Sequence, residues 1–101
     1  MVKLTALYKK PNDIQEFDRY YQEVHTPLAA KMPGLKKMEV GQVVGSPAGE
    51  SEYHLIANLY FDNHDALKNA MSSPEGKAAA KDLNNFARGI VQMLICDVKN
   101  N

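Results

Sequence analysis

The chain has 101 residues, 12 basic and 12 acidic side chains, 45% hydrophobic residues and one cysteine. This length makes a single domain, which buries only about 60–65% of the surface its unfolded chain exposes and so gains from pairing with a second copy. The neutral balance excludes the clustered Lys and Arg on which nucleic-acid binding rests, and no apolar run reaches the ~18–20 residues that span a bilayer.

Lys9-Lys10 and Lys36-Lys37 are short pairs that read as solvated strand ends. The opening "MVKLTALYKK" has neither the long apolar core nor the small-residue cleavage site of a signal peptide. Cys96 stands alone within "IVQMLICDV" and reads as a buried, inert thiol. These features predict a cytoplasmic protein without a disulfide framework, partnering neither nucleic acid nor membrane.

Residues 2–8 alternate, with Val2, Leu4, Ala6 and Tyr8 on one face, which predicts a strand. Pro11 ends it, and Asn12 or Asp13 can cap a helix beginning at the next residues. From Ile14 the period changes: Ile14, Phe17, Tyr21, Val24 and Leu28 recur at three and four and mark that helix. Pro27 removes a backbone donor and disfavours helical geometry at Thr26, so the helix is expected to end or kink near His25–Thr26. Pro33-Gly34 then stops any last turn.

Residues 35–44 predict a second strand, with a bulge or close approach at Gly41. "GSPAGES" is a hairpin loop, and "EYHLIANLYF" over 52–61 is the strongest strand, apolar on both faces and therefore central. A second helix opens at Asp62 or Asn63, with Ala66, Leu67, Ala70 and Met71 inward. Ser73-Pro74 restarts it, and it runs to Arg88. The stretch after Gly89 is the last strand.

The order is β-α-β-β-α-β, the ferredoxin-like pattern in an α+β fold: a four-stranded antiparallel sheet with both helices on one face. No helix of the chain covers the other face. A second copy stacked sheet to sheet would cover it, which predicts a homodimer and a dimeric α+β barrel.

Three histidines are candidates for chemistry. At ~100° per residue, His25 lies about 60° from the centre of the apolar stripe, on the edge of the buried face. From position alone it is either a helix cap or core histidine bonded to a backbone carbonyl, or a proton carrier. His54 reads as a strand-end surface residue and His64 as an exposed helix start. No pair has metal-ligand spacing, and no phosphate loop, nucleophile elbow or nicotinamide or flavin fingerprint is present, so neither metal nor cofactor is expected. Asp97 is in phase with Val91, Met93 and Ile95 and is either a polar strand end or a carboxylate at a pocket mouth. Tyr8, Tyr20, Tyr21 and Tyr53 could supply hydroxyls. Leu4, Ala6, Tyr8, Tyr53, Leu55, Ala57, Leu59, Met93 and Ile95 are expected to line an apolar pocket for a small hydrophobic molecule.

"LYKKPNDIQEFDRYYQEVHTPLAAKMPGL" resembles the start of the EthD family, named for a protein needed for ethyl tert-butyl ether degradation. The shared features are the strand ending Leu7-Tyr8-Lys9, then Phe17-x-x-Tyr20-Tyr21, His25-x-Pro27-Leu28 and Pro33-Gly34-Leu35. The likeness continues through "YFDNHDALKNAMSSPEGKAAAKDLNNF" and covers nearly the whole chain. It implies one dimeric α+β barrel domain over residues 1–101, in a superfamily of cofactor-free monooxygenases, isomerases, cyclases, dehydratases and decarboxylases. It moves His25 into a pocket, with Tyr20 and Asp97 as the other catalytic candidates. A non-catalytic ligand-binding or accessory protein of a degradation pathway is the alternative.

Overall fold

The alternating stretches form a four-stranded antiparallel sheet in the computed structural model, which describes residues 1–99. Strands β1 (Val2–Lys9), β2 (Lys37–Gln42), β3 (Tyr53–Phe61) and β4 (Val91–Asp97) lie in the order β2-β3-β1-β4. The two central strands are the two with the most regular apolar patterning. Val2, Leu4, Ala6 and Tyr8 of β1 are all buried, as are Leu55, Ala57, Leu59 and Phe61 of β3. Burial of one such large side chain contributes roughly 1.5–3 kcal/mol.

The helical layer packs on that face. Helix α1 (Ile14–Tyr20) passes through a π-helical turn (Tyr21–His25) into α2 (Thr26–Ala30), and α3 (His64–Ser72) is followed by α4 (Pro74–Phe86). The starts of α1, α3 and α4 are each capped by a short polar side chain: Asp13 accepts from the Glu16 amide at 3.1 Å, Asn63 from Ala66 at 2.8 Å and Ser73 from Gly76 at 3.0 Å. No helix of the described residues is long and apolar enough to cross a membrane.

The helix does not end near His25–Thr26; the disturbance expected there is the π-helical turn. The backbone stays right-handed helical through Tyr21 and Thr26, and the Thr26 amide reaches back to the Tyr21 carbonyl. A five-residue step accommodates Pro27, which lacks an amide proton, by widening one turn instead of ending the helix. The extra residue also rotates the last turns of the helix: His25 and Ala29 are buried, whereas Leu28 is only half-buried.

The bulge falls elsewhere than expected. Gly41 pairs regularly with Ile56, and an added Cβ there would meet nothing. The irregularity is in β3, where Tyr8 pairs with Leu55 and Lys9 with Tyr53, so that His54 is the extra residue. His54 is consequently not at the surface: it is 5% exposed, its Nε2 lies 2.7 Å from Asp18 Oδ1, and it packs edge-on against Phe17. Cys96 is half-buried rather than buried, paired with Lys3 on the outer side of the sheet. That outer face is mixed rather than apolar. Leu7, Ile56 and Leu94 share it with Thr5 and Asn58, which hydrogen-bond at 2.7 Å.

Gly34 follows α2 with φ +79°, a left-handed conformation that costs side chains with a Cβ about 1 kcal/mol or more. Gly34→Val should therefore lower stability by more than about 1 kcal/mol, and Pro33→Ala by less. Denaturant melts of both variants check this, and equal midpoints would contradict the turn assignment.

Candidate functional site

A carboxylate on the buried face of α4 organises the site. Asp82 lies three residues after Ala79 and four before Phe86, on the stripe that α4 turns inward, and is 5% exposed. Its Oδ1 accepts from the Tyr20 hydroxyl at 2.6 Å and from Asn85 Nδ2 at 2.9 Å. Its Oδ2 lies 3.0 Å from His25 Nδ1. Tyr20 and His25 are five residues apart, a spacing that an ordinary α-helix would set about 140° apart. The π turn between them brings both side chains to the same carboxylate.

The electrostatics follow from this arrangement. Burial pulls the Asp82 carboxyl upward, but the hydrogen bonds from Tyr20, Asn85 and His25 outweigh it and hold the group below the usual carboxylate range. Burial pushes the His25 imidazole below its ordinary value, more than Asp82 raises it. At neutral pH the pair is an ionised carboxylate beside a neutral imidazole. A carboxylate only accepts, so the His25 proton sits on Nδ1 and the Nε2 lone pair is left free. Nε2 has no protein partner among the described residues.

His25 lines a cavity of about 160 Å³ between the sheet and the helices. Of the residues expected there, Leu4, Ala6, Tyr8, Ala57, Leu59 and Met93 do line it, joined by Tyr21 and Met32 from the helical side. Tyr53, Leu55 and Ile95 do not. Tyr53 pairs with Lys9, past the bulge; Leu55 is buried core; Ile95 sits on edge strand β4, 56% exposed. Burial raises the Tyr8 hydroxyl well above the usual phenol range, with Tyr21 and Asp82 adding to it, and raises Tyr21 to about 12 against an opposing hydrogen bond from Thr26. Both tyrosines stay protonated.

Two catalytic candidates are placed differently from expectation. Asp97 has the expected phase but pairs with Val2, beyond the cavity along the sheet. Two residues of strand cover about 7 Å, enough to carry it off the site. It lies instead 2.6 Å from His64 Nε2 on the surface. Tyr20 reaches the site only through Asp82. It lines a separate polar cleft with Asn85, Lys10 and Arg88. Sequence reasoning missed Asp82 itself. The available signal was a carboxylate on the inward stripe of α4, between Ala79 and Phe86. Among the described residues no cluster of three or more His, Cys, Asp or Glu could hold a metal ion.

The EthD domain model matches residues 9–89. The chain belongs to the EthD family. An EthD-family protein of Bacillus halodurans C-125 is 45% identical, with a TM-score of 0.95 over 98% of this chain and 99% of that one. An uncharacterized 11.0 kDa protein of Rhodococcus erythropolis, from the thcB–thcC intergenic region, is 35% identical over 96% of this chain and 94% of its own. More distant structures share the fold alone. They include a dimeric ferredoxin-like protein of Bacteroides fragilis, 24% identical with a TM-score of 0.66 over 96% and 95% of the two chains. Another is the cofactor-independent oxygenase SnoaB of Streptomyces nogalater, 13% identical with a TM-score of 0.71 over 99% and 94%.

The depressed pKa of His25 ties stability to pH. Below about pH 6.5 the unfolded chain takes up a proton that the folded His25 does not, so stability falls as pH drops from there toward the folded pKa. Asp82, also depressed, adds a further loss at more acidic pH, as its carboxylate is protonated. Urea unfolding at pH 7.5 and 5.5 should show a smaller drop for His25→Gln than for the wild type. Equal drops would show that His25 does not titrate in this way.

Proposed function

We propose that this EthD-family protein performs cofactor-independent acid/base chemistry on a hydrophobic cyclic or carbonyl compound. The reaction is of the isomerase, cyclase, dehydratase or decarboxylase type, or belongs to an oxygenase system. The observation that carries this reading is the free Nε2 of His25, which lines an apolar cavity while Asp82 fixes the opposite nitrogen.

In this reading Nε2 takes a proton from a carbon activated by a neighbouring carbonyl and returns it elsewhere on the product. The Asp82 carboxylate stabilises the imidazolium formed in between, and Tyr20 and Asn85 hold that carboxylate in place. The Tyr8 hydroxyl, protonated and in the same lining, donates to the oxygen on which charge develops. The apolar walls strengthen both interactions by excluding water.

His25→Ala should fold and lose turnover of any substrate of this class, measured as deuterium uptake from solvent into enolisable ring ketones. His25→Gln should lose roughly 10²–10⁴ in rate. Asp82→Asn should reverse the imidazole tautomer and also slow turnover, with the tautomer read from the ¹⁵N shifts of His25. Unchanged rates in a folded His25→Ala protein would leave the cavity as a ligand-binding site without catalysis.

The same reading takes the protein as a homodimer. It is supported by the outer sheet face that no helix covers, where Leu7, Ile56 and Leu94 lie and Leu94 is 40% exposed, and by the dimeric protein of the same fold. Light scattering at micromolar concentration should give twice the 11.3 kDa chain mass, with an interface on the order of 2,000 Å² in total. A monomeric mass would overturn the dimer.

A further inference from the structure

The cavity exists because small residues stand where a close-packed core would hold large ones. Ala6 and Ala57 contribute to its sheet side, and Ala29, Gly76 and Ala79 to its helical side. Protein interiors pack to the density of organic crystals, so this absence of side-chain volume is a feature of the sequence and not slack in the fold.

The rest of the wall is unusual in one residue type. The chain has five methionines, and Met32, Met38, Met71 and Met93 line the cavity. They arrive from four different segments: the turn after α2, β2, α3 and β4. Met32 is 6% exposed, whereas Met71 and Met93 are 43% and 42% exposed and mark the side on which the cavity meets solvent. Methionine is unbranched, and its polarizable sulfur makes favourable contacts with aromatic rings. Four of them form a wall that adapts to a flat ring.

Two polar groups in this wall lack protein partners. His25 is 7% exposed, and its Nε2, with the proton held at Nδ1 by Asp82, only accepts. Tyr8 is 1% exposed, and burial and the nearby Tyr21 and Asp82, not a hydrogen bond, set the state of its hydroxyl. A protonated phenol of this kind donates. Both rings pack on Phe86 and on Tyr21, with centroids 4.8–6.0 Å apart, so the two groups belong to one corner of the site. The corner offers one donor and one acceptor in an otherwise apolar space. A ring hydroxyl satisfies both at a single oxygen. A carbonyl takes only the Tyr8 proton and meets Nε2 with a C–H, so it pairs one of the two groups where a hydroxyl pairs both, and a carboxylate would be a charge without a counter-ion. The volume sets the size, since an apolar cavity of about 150 Å³ accommodates benzene.

We infer that the cavity is a binding site for a monocyclic phenol, its ring held among the four methionines and its hydroxyl donating to His25 Nε2 and accepting from the Tyr8 hydroxyl. This rests on the proposed function in that the same cavity and the same His25 nitrogen are used.

Phenol and toluene, titrated into protein carrying ¹³C-methyl methionine, test the site. Phenol should shift the methyl resonances of Met32, Met38, Met71 and Met93 and leave Met1 unmoved. It should bind roughly tenfold more tightly than toluene, the difference expected of one or two net hydrogen bonds. Tyr8→Phe and His25→Gln should each reduce phenol affinity toward that of toluene, and Ala57→Leu, which fills the space, should abolish binding of both. Equal affinity for phenol and toluene in the wild type, or shifts that survive Ala57→Leu, would overturn the inference. Phenol binding as expected, with no deuterium uptake into any ketone, would refute the proposed catalysis and leave the phenol site standing.

Discussion

One buried carboxylate determines how the helical layer sits. An ionised group removed from water is tolerated only when its oxygens are filled by donors, and its desolvation otherwise costs several kcal/mol. Asp82 meets this requirement with three donors, one from its own helix at Asn85 and two from the other side of the layer at Tyr20 and His25. The hydrogen bonds therefore link α4 to both ends of the π turn. Sliding either helix by one residue would strand the carboxylate, so the requirement fixes register as well as separation. Phe86, one turn beyond Asp82, packs against Tyr8, Phe17, Tyr20, Tyr21 and His25 and closes the same junction with apolar contact.

That requirement gives the π turn its meaning. A π turn is a poorer helix than an α turn and persists where something else over-determines it. Here Pro27 has already removed a donor that a regular helix would use, which lowers the cost of the irregularity. The geometry gained is specific. Tyr20 points to the polar cleft and His25 to the apolar cavity, and Asp82 stands between them. The carboxylate is thus anchored from a wetter side while the imidazole faces a drier one. Under the proposed function this separates the group that positions from the group that reacts.

The sequence made the architecture legible because it depends on period and order, which survive small local errors. The alternation at Leu4, Ala6 and Tyr8, the caps at Asp13, Asn63 and Ser73, and the β-α-β-β-α-β order lead to the observed sheet. The site was legible in part. His25 was found from the edge of a stripe, and most of the cavity floor from strand phase. What escaped depended on single-residue insertions and on distance along an element. The π turn adds one residue to a helix and the His54 bulge adds one to a strand, and neither changes composition. Asp97 had the correct face and the wrong height. Asp82 was overlooked because a charged residue in "KDLNN" reads as solvated unless its helical phase is checked against Ala79 and Phe86.

The cavity has an energetic consequence that joins the site to the assembly. The walls of a cavity of about 160 Å³ lack packing partners on that side and forgo contacts that a filled core would make. A domain of this size has a net stability of only roughly 5–15 kcal/mol, so contacts left unmade matter. Helices α3 and α4 are already in close contact where they meet. At Gly76 the start of α4 already lies so near α3 that an added Cβ would collide with the Ala70 carbonyl. Two sources of stability remain. Under the proposed function, one is a guest that restores the missing contacts, and the other is burial of the outer sheet face against a second copy. Both act on the folded state alone, so each raises stability by mass action without altering the site. Under the proposed function the ligand and the second copy would occupy opposite faces of the sheet, so the two contributions would add without competing for one surface.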